Sequence, residues 1–440
     1  MPQDILQNVW NRIIKAGEAL NYEVRLMEEL TSFKMRLSFD LDATVAGKPE
    51  RLKAVRVWHR APLTDCIFKG GTRYRPGLTL NSMESHAAEM SIKCWLHNLP
   101  YGGAKGGIDL DPNKCTPEEL EKITYRFVDE LNERSAIGPF RDVPAPDMGT
   151  DSLIMFWMAQ RYSYLHRGEP YIKAVVTGKP VNPYIGGLHG RTEATGFGLI
   201  TAYQEMSRHM PIKSPTESTM AIQGFGNVGM HVARFASNLG IKVIAVCDEF
   251  GGVFDGKGLN IQALIQHARS QKPATVSGFP GAHTIRNEDL FSLRCDILVP
   301  AAAEEVITKE NADLIMANIV LEGANGPTTP EADAILSDKG IVVIPDIYAN
   351  SGGVVTSYFE WARNTDNFSD TRVPTENDYD VVIKALERMM CHAGQEIVER
   401  SKRYNVSLRL AAYILALEKA ELMRARRIPG YAMEMFRPKS

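Results

Sequence analysis

Apolar residues recur with two different periods along this chain. Residues 4 to 30 place Ile5, Val9, Ile13 and Ile14 near one side at helical spacing, which predicts an amphipathic helix. Alternation follows in Leu37/Phe39/Leu41 and Val55/Val57, so the first region also contains sheet. A helix over Asn81 to Asn98 carries Met90 and Lys93 three residues apart, hence on one side. Thr116-Pro117-Glu118-Glu119 is a capping box with proline at the first helical position, and the helix should run to about Glu133. Pro144 and Pro146 make Arg141 to Asp147 an extended segment. Asp147 then reads as the cap of an apolar helix near Ser152 to Tyr164, whereas Asp142 has no capping duty.

Gly178, Pro180, Pro183, Gly186, Gly187 and Gly190 mark a hinge between domains. Beyond it, helices at 193–209, 227–239, 260–269 and 330–338 alternate with strands Thr219 to Gln223, Ile241 to Cys247, Asp296 to Pro300, Ile319 to Glu322 and Ile341 to Ile344. Such alternation predicts a parallel, doubly wound sheet. Residues 378–400 and 408–427 read as helices with charged outer faces. The fold class is therefore α/β with two domains.

Chemistry concentrates in two stretches. Tyr101-Gly102-Gly103-Ala104-Lys105-Gly106-Gly107 sets one lysine among four glycines, which suggests an ammonium presented by bare backbone to a ligand. The rival reading is a glycine-rich turn with a solvated lysine. Lys69 and Lys93 precede it, and convergence of such charges, with burial, is how a lysine becomes a base near neutral pH. The second stretch is Gly224-Phe225-Gly226-Asn227-Val228-Gly229, directly after an apolar strand and at the start of a helix. Gly224 makes the tight turn, Gly226 lets a pyrophosphate reach the helix N-terminus, and Gly229 permits close helix packing. Asp248 ends the next strand, placed to accept from ribose hydroxyls, and Glu249 beside it would repel a 2′-phosphate. NAD is thus favoured, with NADP possible.

Composition narrows the partners. Lys and Arg number 50 against 53 Asp and Glu, so there is no basic field for nucleic acid or anionic membrane. No apolar run reaches membrane-spanning length. Six scattered cysteines without a CxxC pair read as reduced thiols of a cytoplasmic protein. Histidines such as His86 and His231 lack metal-ligand spacing, so no metal site is expected.

The motifs KGGTRY, SIKCW, PYGGAKGGIDLDP, DVPAPD, GRTEATGFG, QGFGNVG, EGANGPTTPEAD and NSGGVVTSYFEW together resemble the glutamate dehydrogenases, within the glutamate/leucine/phenylalanine/valine dehydrogenases. The resemblance implies reversible oxidative deamination of L-glutamate to 2-oxoglutarate and ammonia, in a homo-oligomer, by resemblance a hexamer. It implies a substrate and oligomerisation domain over 1–185, completed by helices in 365–440, and a Rossmann-like NAD-binding domain over 186–364. On matching positions Lys105 would activate water and Asp142 would shuttle protons. Lys93 and the backbone near Met90 would hold the α-carboxylate, and Lys69 and Ser357 the γ-carboxylate. Thr195 and Asn227 would contact the cofactor, and Asn325 would lie by the nicotinamide. Relatives that use leucine or phenylalanine place apolar residues where Lys69 and Ser357 stand. The alternatives are the same chemistry on leucine, valine, phenylalanine or a modified dicarboxylic amino acid, and a silent NAD-binding regulatory homologue. His59 to Phe68 and Val181 to His189 depart from the family pattern, as do Met90 and Glu305.

Overall fold

A computed structural model describes residues 5–60, 66–210 and 213–425. Residues 1–4 and 426–440 of the expected first domain, and 61–65 of the unusual segment His59 to Phe68, lie outside the described residues. The chain divides into two units: residues 5–189, 354–385 and 413–425 form the first, and 190–353 with 386–412 the second.

The first unit opens with helices α1 (Ile5–Ala19) and α2 (Val24–Leu30). One helix was expected over 4 to 30, but the chain turns between them with Asn21 at a φ of 53°, a conformation asparagine tolerates. Val9, Ile13 and Ala16 are buried while Ile14 is 38% exposed, because neighbouring helical positions differ by about 100° and only one can face inward. Strands β1 (Phe33–Val45), β2 (Lys48–His59), β3 (Ile67–Tyr74), β4 (Tyr101–Ile108) and β5 (Asp142–Pro146) form a sheet ordered β1-β2-β4-β3-β5. β4 pairs antiparallel with β2 and parallel with β3, and β5 runs parallel to β3.

Helix α3 (Leu80–Leu96) lies on one sheet face, where Ser91 Oγ accepts from the Gly103 amide at 2.7 Å. Helix α4 (Pro117–Glu133) begins with the expected reciprocal Thr116/Glu119 box and lies on the other face, where the Tyr74 and Thr124 hydroxyls meet at 3.1 Å. Helix α5 (Ser152–Leu165) is capped by Asp151, whose Oδ1 accepts from the amides of Leu153 and Ile154. Asp147 is therefore not its cap.

In the second unit, α6 (Ala194–Ser207) precedes β6 (Thr219–Gln223), α7 (Asn227–Asn238), β7 (Lys242–Asp248), β8 (Gly251–Phe254), α8 (Ile261–Ser270) and β9 (His283–Ile285). β10 (Ile297–Pro300), β11 (Ile319–Leu321), α9 (Pro330–Asp338), β12 (Val342–Ile344) and α10 (Asp346–Ala349) follow. The sheet order is β12-β11-β10-β6-β7-β8-β9. Its first five strands are parallel, as the α/β alternation predicts, while β8 and β9 add an antiparallel edge that the alternation did not indicate.

Three helices follow in the described residues: α11 (Gly352–Asn364), α12 (Tyr379–Tyr404) and α13 (Leu408–Ala425). Within the first unit, Glu360 of α11 accepts from the Gly178 amide at 2.8 Å and from Lys179 Nζ at 2.6 Å. Asn364 and Asn377 donate to the carbonyls of Gly186 and Gly187, so the glycine and proline segment is fastened along its length. None of the described helices is long and apolar enough to cross a membrane.

Candidate active site and dinucleotide cradle

Strand registers decide which side chains share a face. Lys69 on β3 lies opposite Gly103 on β4, so Lys105, two residues further, projects from the same face as Lys69. Lys69 also lies opposite Val143 on β5, which sends Asp147 to that face and Asp142 to the other. Side-chain contacts agree with the registers. Lys105 Nζ pairs with Asp147 Oδ2, and Arg73 Nε donates to Asp147 Oδ1 at 3.1 Å. The amide of Met148 also donates to Oδ1, at 2.6 Å.

β3 stands between β4 and β5, so the Lys105–Asp147 contact must cross it. It does so over Gly71, where Asp147 Oδ2 occupies the place a Cβ would take. The other glycines of this region are also filled by the protein itself. Gly103 lies under the Ala87 carbonyl of α3, Gly102 under Phe68 and Cys66, and Gly106 under the side chain of Arg56. The bare backbone around Lys105 is thus used to bring other parts of the chain close.

Asp142 is spent on structure. Arg56 reaches from β2 across Gly106 and donates to both its oxygens, at 2.7 and 2.6 Å, while Trp58 Nε1 donates to Oδ2 at 2.6 Å. Arg56 and Asp142 are both fully buried. Arg56 Nη1 also donates to the Gly71 carbonyl at 3.0 Å, tying β3 into the same knot. The proton shuttle expected at Asp142 therefore meets a correction: its oxygens face away from Lys105 and are engaged in a buried ion pair. Asp147 is the carboxylate at Lys105, and the odd five-residue spacing of the two aspartates is the signal that could have separated them.

Helix α3 brings Lys93, buried, to the lysine face, with Met90 half-buried one turn before it. Burial pushes the Cys94 thiol up to about 12, against the opposing charges of Lys69 and Lys93. Ser357 is buried on α11 four residues before Trp361, hence on the same side of that helix. Trp361 and Tyr358 pack edge-on against Tyr101 at 5.5 and 5.9 Å, and Tyr101 shares the face of Lys105 on β4. Lys69, Lys93, Lys105, Asp147 and Ser357 thus belong to one side of the sheet.

Electrostatics distinguishes Lys105. Burial holds its pKa below the ordinary lysine value, Arg73 and Lys93 add to that, and Asp147 opposes it. Burial alone would raise Asp147, but Lys105 and Arg73 outweigh it and hold the carboxyl well below the usual carboxylate range. The pair is a carboxylate facing a lysine whose proton is loosened.

In the second unit the fingerprint glycines have three different surroundings. Gly224 has a φ of 95° and makes the turn after β6. Gly229 abuts the Gly224 carbonyl, so only hydrogen fits there. Gly226 caps α7 and nothing lies within 4 Å of where its Cβ would be, an open cradle at a helix N-terminus suited to a pyrophosphate. Asn227 and Val228 form the first turn above it, and Asn227 Nδ2 donates to the Thr192 carbonyl at 2.9 Å. Thr195, half-buried in the first turn of α6, lies against Gly353.

Asp248 ends β7 as expected, and its carboxylate accepts from the amides of Phe250 and Val276 at 2.9 and 2.6 Å and from the Thr275 hydroxyl at 3.1 Å. A carboxylate has about four acceptor positions, so the loop at 275–276 fixes it and leaves capacity for a ribose hydroxyl. Asn325 Oδ1 accepts from Asn350 Nδ2 at 3.1 Å, and the adjacent Gly326 amide donates to Asp346 at 2.9 Å. Glu305 adopts a φ of 51° and its amide donates to the Gly326 carbonyl at 2.9 Å. Among the described residues no group of three or more His, Cys, Asp or Glu could hold a metal ion.

Both units contain regions similar to known proteins. Residues 186–427 match the Glutamate/Leucine/Phenylalanine/Valine dehydrogenase pattern, and 34–164 match the Glu/Leu/Phe/Val dehydrogenase dimerisation domain. The chain is 43% identical to a glutamate dehydrogenase of Thermotoga maritima, over 92% of this chain and 94% of that one. It is 41% identical to NAD-specific glutamate dehydrogenase A of Halobacterium salinarum, over 97% and 94%. Among solved structures, the hetero-hexameric glutamate dehydrogenase of Thermus thermophilus in its leucine-bound form superposes with a TM-score of 0.85 at 30% identity, covering 97% of this chain and 99% of that one. With both patterns matched in order along most of its length, the chain belongs to the Glutamate/Leucine/Phenylalanine/Valine dehydrogenase family.

Proposed function

We propose that this chain catalyses the reversible oxidative deamination of L-glutamate to 2-oxoglutarate and ammonia with NAD, and that the Lys105–Asp147 pair is its proton-handling couple. The observation that carries the reading is that pair, set on the same sheet face as Lys69 with Lys93 packed above it. A dianionic substrate needs fixed cations at both ends, and lysines on separate elements supply them at a set separation. Lys93, with backbone near Met90, holds the α-carboxylate, while Lys69 and Ser357 hold the γ-carboxylate. A lysine facing a hydrocarbon side chain would be an uncompensated buried charge, so Lys69 selects for an acidic side chain.

Lys105, in its neutral form, draws a proton from the water that attacks the iminium carbon of the substrate. Asp147 receives and returns protons at the substrate nitrogen. Its oxygen Oδ2, already turned to Lys105, is the one in use.

When bound, NAD accepts the hydride from the substrate carbon. Gly224, Gly226, Val228 and Gly229 line its pyrophosphate, with Asn227 and Thr195 beside it. Asp248 takes the ribose hydroxyls, Glu249 adds charge against a 2′-phosphate, and Asn325 stands at the nicotinamide end. The first unit is the substrate and oligomerisation domain and the second binds NAD. The assembly is a homo-hexamer, and the protein works in the cytoplasm on small molecules.

Initial rates on glutamate, leucine, valine and phenylalanine, each with NAD and NADP, test this reading. The expected result is a glutamate rate with NAD far above the rest; a glutamate rate no better than leucine would refute it.

A further inference from the structure

We propose that Arg73 is a positioning residue for the deamination reaction, one that clamps Asp147 by Oδ1 so that Oδ2 meets Lys105 and that sets a buried positive charge beside the Lys105 ammonium. Its assignment to deamination rests on the function proposed above; its geometry does not. Arg73 is 5% exposed and lies two residues beyond Gly71 on β3, the strand that separates Lys105 from Asp147. The β3/β5 register sets Thr72 opposite Pro146, so Arg73 and Asp147 leave adjacent strands at neighbouring positions on one face. Asp147 Oδ1 then accepts from Arg73 Nε at 3.1 Å and from the Met148 amide at 2.6 Å. Two donors on one oxygen fix the rotation of the carboxylate and turn the other oxygen to Lys105.

The largest charge effects on Lys105 come from Arg73 on β3, Lys93 on α3 and Asp147 just after β5, and Lys69 of β3 shares the same face. β2 contributes only the apolar Val57 opposite Lys105. Arg73 and Lys93 favour the neutral amine and Asp147 favours the ammonium. Without Arg73, the balance at Lys105 moves toward the protonated form.

Competitive labelling of amines by trace acetic anhydride across pH, with modification of Lys105 read by mass spectrometry, tests this on the full-length wild type, Arg73→Gln and Arg73→Lys. Circular dichroism and a thermal melt, beside NADH fluorescence titration, verify that each variant is folded. The expected result is that Arg73→Gln moves the Lys105 midpoint alkaline by about one pH unit, the scale of losing a nearby like charge. Its kcat on glutamate falls by roughly tenfold or more while the KM for NAD stays near wild type. Arg73→Lys keeps the charge but not the Nε donor, so its midpoint stays near wild type and only part of kcat returns. An unmoved midpoint in Arg73→Gln, or a shift in Arg73→Lys as large as in Arg73→Gln, would overturn the proposal. Labelling needs no turnover, so a wild type inactive on glutamate would count against the substrate and leave the Arg73 clamp to be decided by the midpoints.

Discussion

Replacing Asp142 and Asp147 separately by asparagine should give opposite results. Asp142 accepts three hydrogen bonds from Arg56 and Trp58 with both partners of the ion pair fully buried. Removing one member of such a pair leaves an uncompensated charge and costs about 3–5 kcal/mol. Asparagine keeps one acceptor oxygen, which places Asp142→Asn near the lower end, about 3 kcal/mol. For a unit of this size each kcal/mol is worth roughly 2–4 °C, so the melting temperature should fall by roughly 6–12 °C. Below that temperature, turnover per folded enzyme should stay within about threefold of wild type, because Asp142 faces away from Lys105. Asp147→Asn should do the reverse. Its amide can still meet Arg73, but it cannot take a proton, and turnover should drop by about 10²–10⁴. Differential scanning calorimetry beside steady-state rates on glutamate reads both. An Asp142→Asn enzyme that melts within a degree or so of wild type yet loses turnover a hundredfold or more would refute the assignment.

Gly71→Ala places a methyl where Asp147 Oδ2 sits, so the Lys105 contact should be pushed apart and turnover should fall by about tenfold or more, with NADH affinity unchanged in a fluorescence titration. Lys69→Leu should weaken glutamate use selectively and admit leucine or valine, which a ratio of kcat/KM values measures; equal loss on every substrate would remove Lys69 from the γ-carboxylate role. Gly226→Ala should leave the melting temperature in place and weaken NADH binding, since only open space meets its Cβ, whereas Gly229→Ala meets the Gly224 carbonyl and should destabilise the second unit by about 1–3 kcal/mol.

The local elements were legible because local chemistry sets them. The Thr116 capping box, the α/β alternation and the glycine fingerprint each depend on residues a few positions apart, and each appears where the spacing put it. The break at Asn21 and the antiparallel edge of β8 and β9 were harder, since neither interrupts a strong periodic pattern. The choice between Asp142 and Asp147 was not legible from one sequence read residue by residue. Their five-residue spacing says that they face opposite ways on a strand, but only the pairing of β3 with β4 and β5 says which one faces Lys105. The cap reading of Asp147 failed for a local reason, that Asp151 stands closer to the helix start and does the capping. The glycines around Lys105 suggested a ligand brought to bare backbone, yet what approaches them is Arg56, α3 and Phe68.

The most direct measurement is single-turnover formation of 2-oxoglutarate by Lys105→Ala, read by chemical quench with saturating glutamate and NAD, beside its NADH affinity. If Lys105 on this sheet face activates the water, binding of NADH stays near wild type while formation of 2-oxoglutarate slows by about 10² or more. Formation of 2-oxoglutarate at the wild-type rate, with binding intact, would contradict the account at its centre.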